Sequence, residues 1–402
     1  MNRRLLFLAH RIPYPPEKGE KIRSWHMLSH LARDWEVELG CLVDDPADLD
    51  HLPFLRTVCA RVEAPFVGSK RSSALRALLR ARPGAPLSLG WFHDTGLATW
   101  VDEGLAARRY GAALAYSSAV APYVMGDAAR SIRRRVLDLV DVDSEKWRAY
   151  AADARLPMRY VWAREATTLL AFERRAAMEF DRAIFVSEEE ARCFARLAPE
   201  CADRLDHVDN GVDLSRFAAA SRGESPFGNA PAIVFTGTMD YRPNVEAVTW
   251  FADAVLPRLR DRDPAPDFWI VGQNPSAAVR ALADRPGVHV TGPVPDVRPY
   301  IGHAAVAVAP LLIARGIQNK VLEAMAMARP VVATPQAYEG VRASAGRDLL
   351  VADGAEETAA RVAEVLDGRH PGLGDRARAA VMSGHDWGAT LRRLDAILEG
   401  TG

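Results

Sequence analysis

Short apolar segments alternate with longer amphipathic segments along the chain. The apolar segments are rich in Val, Ile, Leu and Phe, and they predict ten β-strands at residues 5–9, 36–43, 112–116, 135–140, 183–186, 232–235, 268–271, 288–290, 306–309 and 331–333. Continuous apolar strands separated by amphipathic helices are typical of βα units whose parallel sheet is covered on both faces. The pattern therefore predicts an α/β protein with two Rossmann-like sheets of five strands each.

A short polar segment divides the two sets of strands. Residues 218–231 are small, polar and interrupted by Gly and Pro, as expected of a linker. We therefore predict a first domain at 1–217, a second domain at 232–384 and a C-terminal helix at 385–402. An apolar stripe predicts that this helix packs on a domain surface, with the first domain as one candidate, and its members are Trp387, Leu391, Leu394 and Leu398.

Composition limits the classes of partner. Lys and Arg number 51 and Asp and Glu number 52 in 402 residues, so the overall charge predicts no nucleic-acid partner. The four cysteines lack metal-binding spacing, which argues against zinc and disulfides and favours a reducing cytoplasm. No apolar stretch approaches the roughly 20 residues that cross a bilayer, so we expect no membrane span.

Local charge is less even than the total. Residues 56–135 contain thirteen basic and five acidic residues. Within them, residues 70–83 predict a helix with leucines at 75, 78 and 79 on one face and arginines at 76 and 80 on another. Such a helix can attach a protein to anionic lipid, here the inner face of the plasma membrane. The alternative is an ordinary surface helix that packs on its own domain.

The most informative segment for function is GIQNKVLEAMAMARPVVAT at residues 316–334, which predicts a helix followed by a buried strand. We expect Asn319 to cap this helix. Lys320 then falls in the first turn, where the helix dipole disfavours a cation by roughly 0.3–1 kcal/mol. We interpret this as a phosphate cradle formed by Gly316, Lys320 and the helix N–H groups, with Glu323 accepting hydrogen bonds from ribose hydroxyls. A surface pair between Lys320 and Glu323 is the alternative.

Loops after the other strands are further candidates. Ligands of open α/β sheets bind beyond the carboxyl ends of the strands. Glycine-containing loops in these places occur at 237–238, 272–273, 292–296 and 316–323 in the second domain and around Gly19 in the first. We predict that the four loops of the second domain converge on one crevice.

Several motifs resemble one family of enzymes. VSEEEA at 186–191, DNGVDLSRF at 209–217 and KVLEAMAMARPVVAT at 320–334 are similar to motifs of glycosyltransferase family 4, the retaining, nucleotide-sugar-dependent enzymes of the GT-B fold. PYPPEKGEKIRSWH, DVDSEKW, MDYRPNVEAV and GIQNKVLEAMA resemble the sugar transferases of exosortase (PEP-CTERM) exopolysaccharide clusters. The resemblance covers nearly the whole chain. It implies two Rossmann-like domains facing a cleft, a nucleotide-sugar donor and a lipid-linked saccharide acceptor.

The resemblance also implies roles for individual residues. Glu323 matches the second glutamate of the family's paired-glutamate motif, which binds the donor ribose, whereas Arg315 replaces the first. The diphosphate-binding arginine and lysine of many relatives are replaced by Thr238 and Pro243, so Lys320 becomes the main candidate for that role. The predicted donor-side residues are Gly19, Gly237, Thr238, Arg242, Gly272, Val294, Pro295, Arg315, Gly316, Asn319, Lys320 and Glu323, of which Lys320 and Glu323 are the catalytic candidates.

Two residues are predicted on the acceptor side. His10 follows the first strand and could orient or deprotonate an acceptor hydroxyl, although a structural histidine is an equal alternative. Asp141 begins an Asp-Val-Asp sequence with the spacing of a metal-binding pair. We favour an acceptor-contacting loop or a helix cap for this sequence, and we predict no metal cofactor.

Two other function classes remain as alternatives. A non-catalytic binder of sugar nucleotides or glycans would explain the replaced family residues. A nicotinamide-dependent oxidoreductase would need G-x-G-x-x-G after the first strand, and EKGEK at 17–21 supplies one glycine. The main prediction is a hexosyltransferase-type enzyme (EC 2.4) of exopolysaccharide or cell-surface glycan synthesis.

Overall fold

The computed structural model of the chain describes residues 3–17, 19–68, 77, 80, 82–314 and 316–401. They form two compact units, Met1–Asp209 with Thr390–Gly402 and Asn210–Ala389. The predicted linker at 218–231 lies within the second unit, where His303 Nε2 lies 2.9 Å from the carbonyl oxygen of Gly223 and the ring of Phe227 lies 5.1 Å from that of Trp269. The predicted helix at 70–83 lies almost entirely outside the described residues.

The first unit contains a sheet of seven parallel strands in the order β3-β2-β1-β4-β5-β6-β7. The strands are β1 Arg4–Ala9, β2 Glu36–Cys41, β3 Arg61–Glu63, β4 Ala112–Tyr116, β5 Arg134–Val140, β6 Arg182–Phe185 and β7 Leu205–His207. The α-helices of this unit whose bounds lie in the described residues, ahead of the C-terminal one, are α1 Gly19–Leu31, α2 Leu52–Val58, α3 Leu87–Trp91, α4 Thr95–Ala106, α5 Asp143–Asp153, α6 Met158–Glu179 and α7 Glu188–Leu197.

The second unit contains a sheet of six parallel strands in the order β10-β9-β8-β11-β12-β13. The strands are β8 Ala232–Thr236, β9 Asp267–Val271, β10 Val288–Gly292, β11 Val306–Ala309, β12 Val331–Ala333 and β13 Leu350–Val351. The helices from here to the end of the chain are α8 Arg242–Trp250, α9 Ala277–Arg280, α10 Arg298–His303, α11 Asn319–Ala326, α12 Pro335–Tyr338, α13 Gly354–Leu366, α14 Leu373–Gly384 and α15 Trp387–Glu399.

The central strands are buried along their whole length. All five residues of β8 and all five of β4 are buried, so their apolar side chains meet helices on both faces of each sheet. This is the physical reason why these strands appear in the sequence as continuous apolar runs. The α/β class with two Rossmann-like sheets is therefore confirmed.

The C-terminal helix α15 buries the apolar stripe that its sequence predicts, and Trp387, Leu391, Leu394 and Leu398 are at most 5% exposed. From Thr390 onward this helix belongs to the first unit. There Arg134 Nε donates to the carbonyl oxygen of Ile397 over 2.8 Å, and His30 Nε2 lies 2.8 Å from a carboxylate oxygen of Asp395. The helix thus returns to the first domain, as proposed from the sequence.

Strand order places one switch point in each sheet. Successive strands are added on one side of β1 up to β3 and then on its other side from β4 onward, and the same change of side occurs between β8 and β11 in the second unit. Loops that leave the carboxyl ends of these strands diverge and open a crevice, which is where ligands bind in sheets of this kind. Functional side chains are therefore expected after β1, β4, β8 and β11.

Candidate functional site

The loops after β8 and β9 lie directly against each other. The amide of Gly237 donates to the carbonyl oxygen of Val271 over 3.0 Å, and the amide of Met239 donates to that of Gln273 over 2.8 Å. A Cβ atom at Gly272 would lie 1.7 Å from the carbonyl oxygen of Gly237. Glycine is therefore required at 272 because the two backbones approach too closely for any side chain.

Asn244 in α8 joins these loops to α11, and it is a residue that the sequence reasoning missed. Its side chain is buried, and its Nδ2 donates to the carbonyl oxygen of Thr238 over 2.9 Å. Its Oδ1 accepts a 2.7 Å hydrogen bond from Lys320 Nζ. The structure thereby brings three of the four predicted loops together, at 237–238, 272–273 and 316–323. The only sequence signal was the resemblance carried by MDYRPNVEAV, which includes this asparagine.

Lys320 occupies the first turn of α11, as the sequence predicts. Among the described residues, its hydrogen bond goes to Asn244 and not to Glu323, and its Nζ lies 4.5 Å from the ring centroid of Phe235. Burial lowers the pKa of Lys320 to about 7, although the nearby Glu323 acts in the opposite direction. A neutral or weakly protonated amine at this position can be charged fully when an anion arrives.

Glu323 lies one turn further along α11 and is partly exposed. Burial raises the pKa of its carboxyl to about 7, against the opposing effects of Arg216 and Lys320. Its side chain accepts no hydrogen bond from the part of the chain that the structure describes. The carboxylate therefore has acceptor capacity left for hydroxyl groups of a ligand. Arg216, in the DLSRF sequence, is a second residue of this site that sequence reasoning did not single out.

The prediction that Asn319 caps α11 is wrong. The helix begins at Asn319 itself, and the capping position is held by Gln318, whose side chain makes no capping hydrogen bond. Gln318 Nε2 instead lies 3.2 Å from the carbonyl oxygen of Gly316, whose φ of 64° is in the left-handed region. The backbone turns sharply there, and the helix starts one residue earlier than a cap at Asn319 would place it. Asn319 Oδ1 is buried and has no hydrogen-bond partner among the described residues.

The remaining donor-side predictions have varied surroundings. Arg242 begins α8, and its Nε lies 2.6 Å from the carboxylate of Glu246 one turn later, so its charge is already partly neutralised. Val294 is half-buried in an apolar cluster with Trp269, and Pro295 is exposed. Arg315 lies outside the described residues. Gly19 is the first residue of α1 and belongs to the first unit.

Two basic residues that follow Gly19 are engaged inside the first unit. Lys21 forms a buried ion pair with Asp48 at 2.7 Å. Arg23, 1% exposed, pairs with Asp138 at 2.8 Å and donates to the carbonyl oxygen of Val208. These two cations satisfy internal carboxylates, so they add little to an anion site at the start of α1.

His10 and Asp141 both follow the carboxyl ends of strands of the first sheet. The His10 ring stacks on Tyr116 with centroids 5.8 Å apart, and burial lowers its pKa. Burial raises the pKa of Asp141 to about 7, with further contributions from Glu190 and Asp143. Buried Nδ1 of His10 and Oδ1 of Asp141 have no hydrogen-bond partner among the described residues. Both groups therefore have capacity for a hydroxyl-bearing ligand.

Neither aspartate of the Asp-Val-Asp sequence is the cap of α5. The capping position is Val142, whose amide donates to Glu190 Oε2 over 2.8 Å, and Asp143 is already in the helix. Asp143 lies 3.7 Å from Lys146 Nζ. In the described ranges, no group of three His, Cys, Asp or Glu residues is arranged to hold a metal ion. Within the same ranges, none of the helices combines the length and hydropathy of a transmembrane span.

Residues 230–368 match the family model of glycosyl transferases group 1. This stretch is about a third of the chain, and it contains the glycine loops, Asn244 and the whole of α11. The match favours glycosyl transfer over the nicotinamide-dependent alternative. No curated protein sequence matches the chain significantly.

Solved structures of glycosyltransferases share the fold over the whole chain. Sucrose-phosphate synthase from Thermosynechococcus elongatus is 16% identical, with a TM-score of 0.71 over 99% of this chain and 98% of that one. HepE of Anabaena, solved with UDP-glucose, is 14% identical, with a TM-score of 0.68 over 99% of each chain. WaaG, a glycosyltransferase of lipopolysaccharide biosynthesis, is 15% identical, with a TM-score of 0.65 over 98% of this chain and 100% of that one. The fold is GT-B, and with the family match it supports a glycosyltransferase.

Proposed function

We propose that this protein is a retaining glycosyltransferase that moves a sugar from a nucleotide diphosphate donor to a lipid-linked saccharide, in exopolysaccharide or cell-surface glycan synthesis. The observation that carries the proposal is the position of Lys320. It lies at the switch point of the second sheet, hydrogen-bonded to Asn244 beside the Gly237 and Gly272 loops, inside the stretch that matches the glycosyltransferase family. The second unit would bind the donor and the first unit the acceptor.

The donor diphosphate would bind at the start of α11. Gly316 leaves the backbone accessible, and free N–H groups in the first turn of a helix attract phosphate oxygens. Lys320 adds a cation whose proton affinity rises when negative charge approaches. The contact with Asn244 holds the Lys320 amine in place before the ligand arrives, which reduces the entropy lost on binding.

The nucleoside would extend from the diphosphate along the same helix. Glu323 lies three residues after Lys320 on one face of α11, and its carboxylate would accept hydrogen bonds from the ribose hydroxyls. Val294 and Pro295 would border the base, with Val294 backed by the apolar cluster around Trp269. HepE, a structural neighbour, was solved with UDP-glucose, which supports a nucleotide sugar as ligand here.

The chemistry would depend on the leaving group. As the bond between the anomeric carbon and the diphosphate breaks, negative charge grows on the leaving phosphate oxygen. Lys320 and the helix N–H groups would stabilise that charge, in the role that a divalent metal has in other transferases. The leaving phosphate would take the proton from the acceptor hydroxyl on the same face, so the configuration of the anomeric carbon is retained.

The acceptor would bind in the first unit near His10 and Asp141. A His10 imidazole whose pKa burial lowers is neutral at pH 7 and can accept a hydrogen bond from a hydroxyl. Asp141, whose pKa burial raises to about 7, can donate or accept. Together they can orient an acceptor hydroxyl without being the base that deprotonates it.

A thermal-shift screen of UDP-, GDP-, ADP- and TDP-sugars tests the donor assignment, because a ligand bound only by the native state raises the melting temperature. Lys320→Ala then separates an enzyme from a non-catalytic binder. A loss of transfer larger than the loss of donor binding supports catalysis, whereas equal loss of both supports simple binding. Arg369→Ala, which removes an exposed cation of the same unit, is the matched control. If no nucleotide sugar stabilises the protein, the proposed function is wrong.

A further inference from the structure

Helices α5 and α6 form an antiparallel hairpin whose tip projects from the first unit. Two contacts fix the pairing: Ser144 Oγ donates to Glu173 Oε2 over 2.6 Å, and the rings of Tyr150 and Trp162 lie 5.7 Å apart. The turn between the helices and the first turns of α6, residues 154–164, are called here the hairpin tip. Helix α6 has 22 residues and is about 33 Å long, whereas the seven-residue strand β5 spans about 23 Å. The tip therefore extends beyond the carboxyl edge of the sheet.

The hairpin tip carries a concentration of exposed apolar side chains. Of the eleven exposed large apolar residues in the described part of the chain, four fall between positions 156 and 161. Leu156 is 67% exposed and Tyr160 72% exposed, and they are accompanied by Met158 and Val161. Soluble proteins scatter such residues singly, so a cluster of four indicates an interaction surface.

The charges of the hairpin tip have one sign. Residues 154–164 include Arg155, Arg159 and Arg164 and no acidic residue. Arg164 Nη2 donates to the carbonyl oxygens of Arg82 and Ala85 over 3.2 and 3.0 Å, which brings the exposed Arg82 to the same surface. Buried Glu165 fixes the adjoining loop, because its carboxylate accepts from the first two amides of α3 over 2.8 and 2.9 Å. The surface is thus apolar and cationic, and it is built on a rigid support.

We propose that the hairpin tip inserts into the surface of an anionic lipid bilayer. Successive helical residues are about 100° apart, so Met158, Tyr160 and Val161 point in three different directions around the helix. Exposure around the whole circumference fits insertion into a layer better than contact with one flat protein face. The arginines would lie at the level of the lipid headgroups, and they would repel the same surface of a second copy.

The position of the tip gives this attachment a use. Helix α5 begins three residues after β5 ends, at the edge of the sheet where His10 and Asp141 also lie. A bilayer at the tip would therefore present a lipid-linked saccharide on the side of the first unit that carries these two residues. Only this consequence rests on the proposed function, since lipid binding itself requires no transferase activity.

Co-sedimentation of the full chain with vesicles tests the proposal. Vesicles of phosphatidylcholine with about one third phosphatidylglycerol should bind the protein at low salt, and pure phosphatidylcholine vesicles should bind it much less. Arg155→Gln with Arg159→Gln should weaken binding about 25-fold, at about fivefold per arginine. Leu156→Ser with Tyr160→Ser should weaken it about tenfold or more.

Matched controls are available on the same chain. Met382→Ser removes an exposed apolar side chain of the second unit, and Arg33→Gln removes an exposed cation of the first, so neither should change vesicle binding. All variants should show the native melting temperature and the native stabilisation by UDP-glucose, since the altered side chains are exposed. Absence of any stabilisation by nucleotide sugars in the native protein would count against the proposed function alone.

Four results would overturn the proposal. The first is equal binding to neutral and anionic vesicles. The second is unchanged binding by both double variants. The third is binding that depends only on the arginines at 76 and 80, which would assign the contact to the helix predicted at 70–83. The fourth is a protein that ignores vesicles but dimerises, with the dimer lost on Leu156→Ser and Tyr160→Ser, which would assign the surface to a second copy.

Discussion

Lys320 is expected to take up a proton when a nucleotide diphosphate binds. Burial lowers its pKa to about 7 in the free protein, so at pH 8 about nine in ten of these amines are neutral. Two unit charges about 4 Å apart attract by about 4 kcal/mol at an effective dielectric constant near 20, which corresponds to about three pKa units. The bound lysine would then titrate near pH 10. Binding at pH 8 should therefore take up about 0.9 proton.

Titration calorimetry with UDP-glucose measures this uptake directly. The observed enthalpy at pH 8 should differ between HEPES and Tris by the difference in their ionisation enthalpies multiplied by the number of protons taken up. The affinity should also fall about tenfold for each pH unit above 7.5, because the neutral amine must be charged before it can pair with the diphosphate. UDP-glucose has no phosphate group that titrates in this range.

The charge-retaining variant separates this mechanism from other proton-linked effects. In Lys320→Arg the guanidinium stays protonated at every pH used, so proton uptake should disappear and the affinity should become flat between pH 7 and 9. Lys320→Met should also show no uptake and should bind weakly throughout. Uptake that persists in Lys320→Arg, or that is absent from the native protein, would refute the reasoning.

Three further changes have defined outcomes. Glu323→Gln should abolish the loss of UDP-glucose affinity below pH 7, because burial raises the pKa of this carboxyl to about 7 and protonation removes acceptor capacity for ribose. If calorimetry showed the same fall in affinity below pH 7 in the variant, that role would be contradicted. Gly272→Ala should lower the free energy of unfolding measured in urea by about 3 kcal/mol, since the added Cβ would lie 1.7 Å from a carbonyl oxygen. Gly228→Ala, whose Cβ would have nothing within 4 Å, should change it by less than about 0.5 kcal/mol, and equal values for the two variants would disprove the close approach. Arg23→Met should lower the free energy of unfolding by about 3–5 kcal/mol because it leaves the buried carboxylate of Asp138 without its ion-pair partner. Adding Asp138→Asn should recover part of the loss, and no recovery in urea denaturation would show that the ion pair is not the cause.

The positions of the strands could be read from the sequence because each is a local pattern. All ten predicted strands overlap strands of the structure, since a parallel strand covered on both faces needs a continuous apolar run. The missed strands β3, β7 and β13 have two or three residues, mostly half-buried, which is too short to show a period. The C-terminal stripe was equally visible, because helical spacing alone defines it.

The surroundings of the charged residues could not be read in this way. Lys21, Arg23 and Lys320 each lie near the start of a helix and look alike in the sequence. Lys21 and Arg23 pair with internal carboxylates 27 and 115 residues away, whereas Lys320 contacts a neutral asparagine 76 residues away. The hairpin tip was missed for a related reason. An apolar residue on a helix is predicted to lie in the core unless it is known that its part of the helix extends beyond the edge of the sheet.

The sequence by itself determined where the chain forms most of its strands and helices and which residues are candidates for phosphate binding, because propensity, apolar spacing and glycine act over a few residues. Tertiary structure alone decided which cations are already neutralised and which are left for a ligand. The physical reason is that a buried charge must be compensated, and the compensating group is supplied by a strand or helix that is distant in the chain. For Lys320 the fold supplies an asparagine rather than a carboxylate as hydrogen-bond partner, which is the arrangement that the proposed donor site requires.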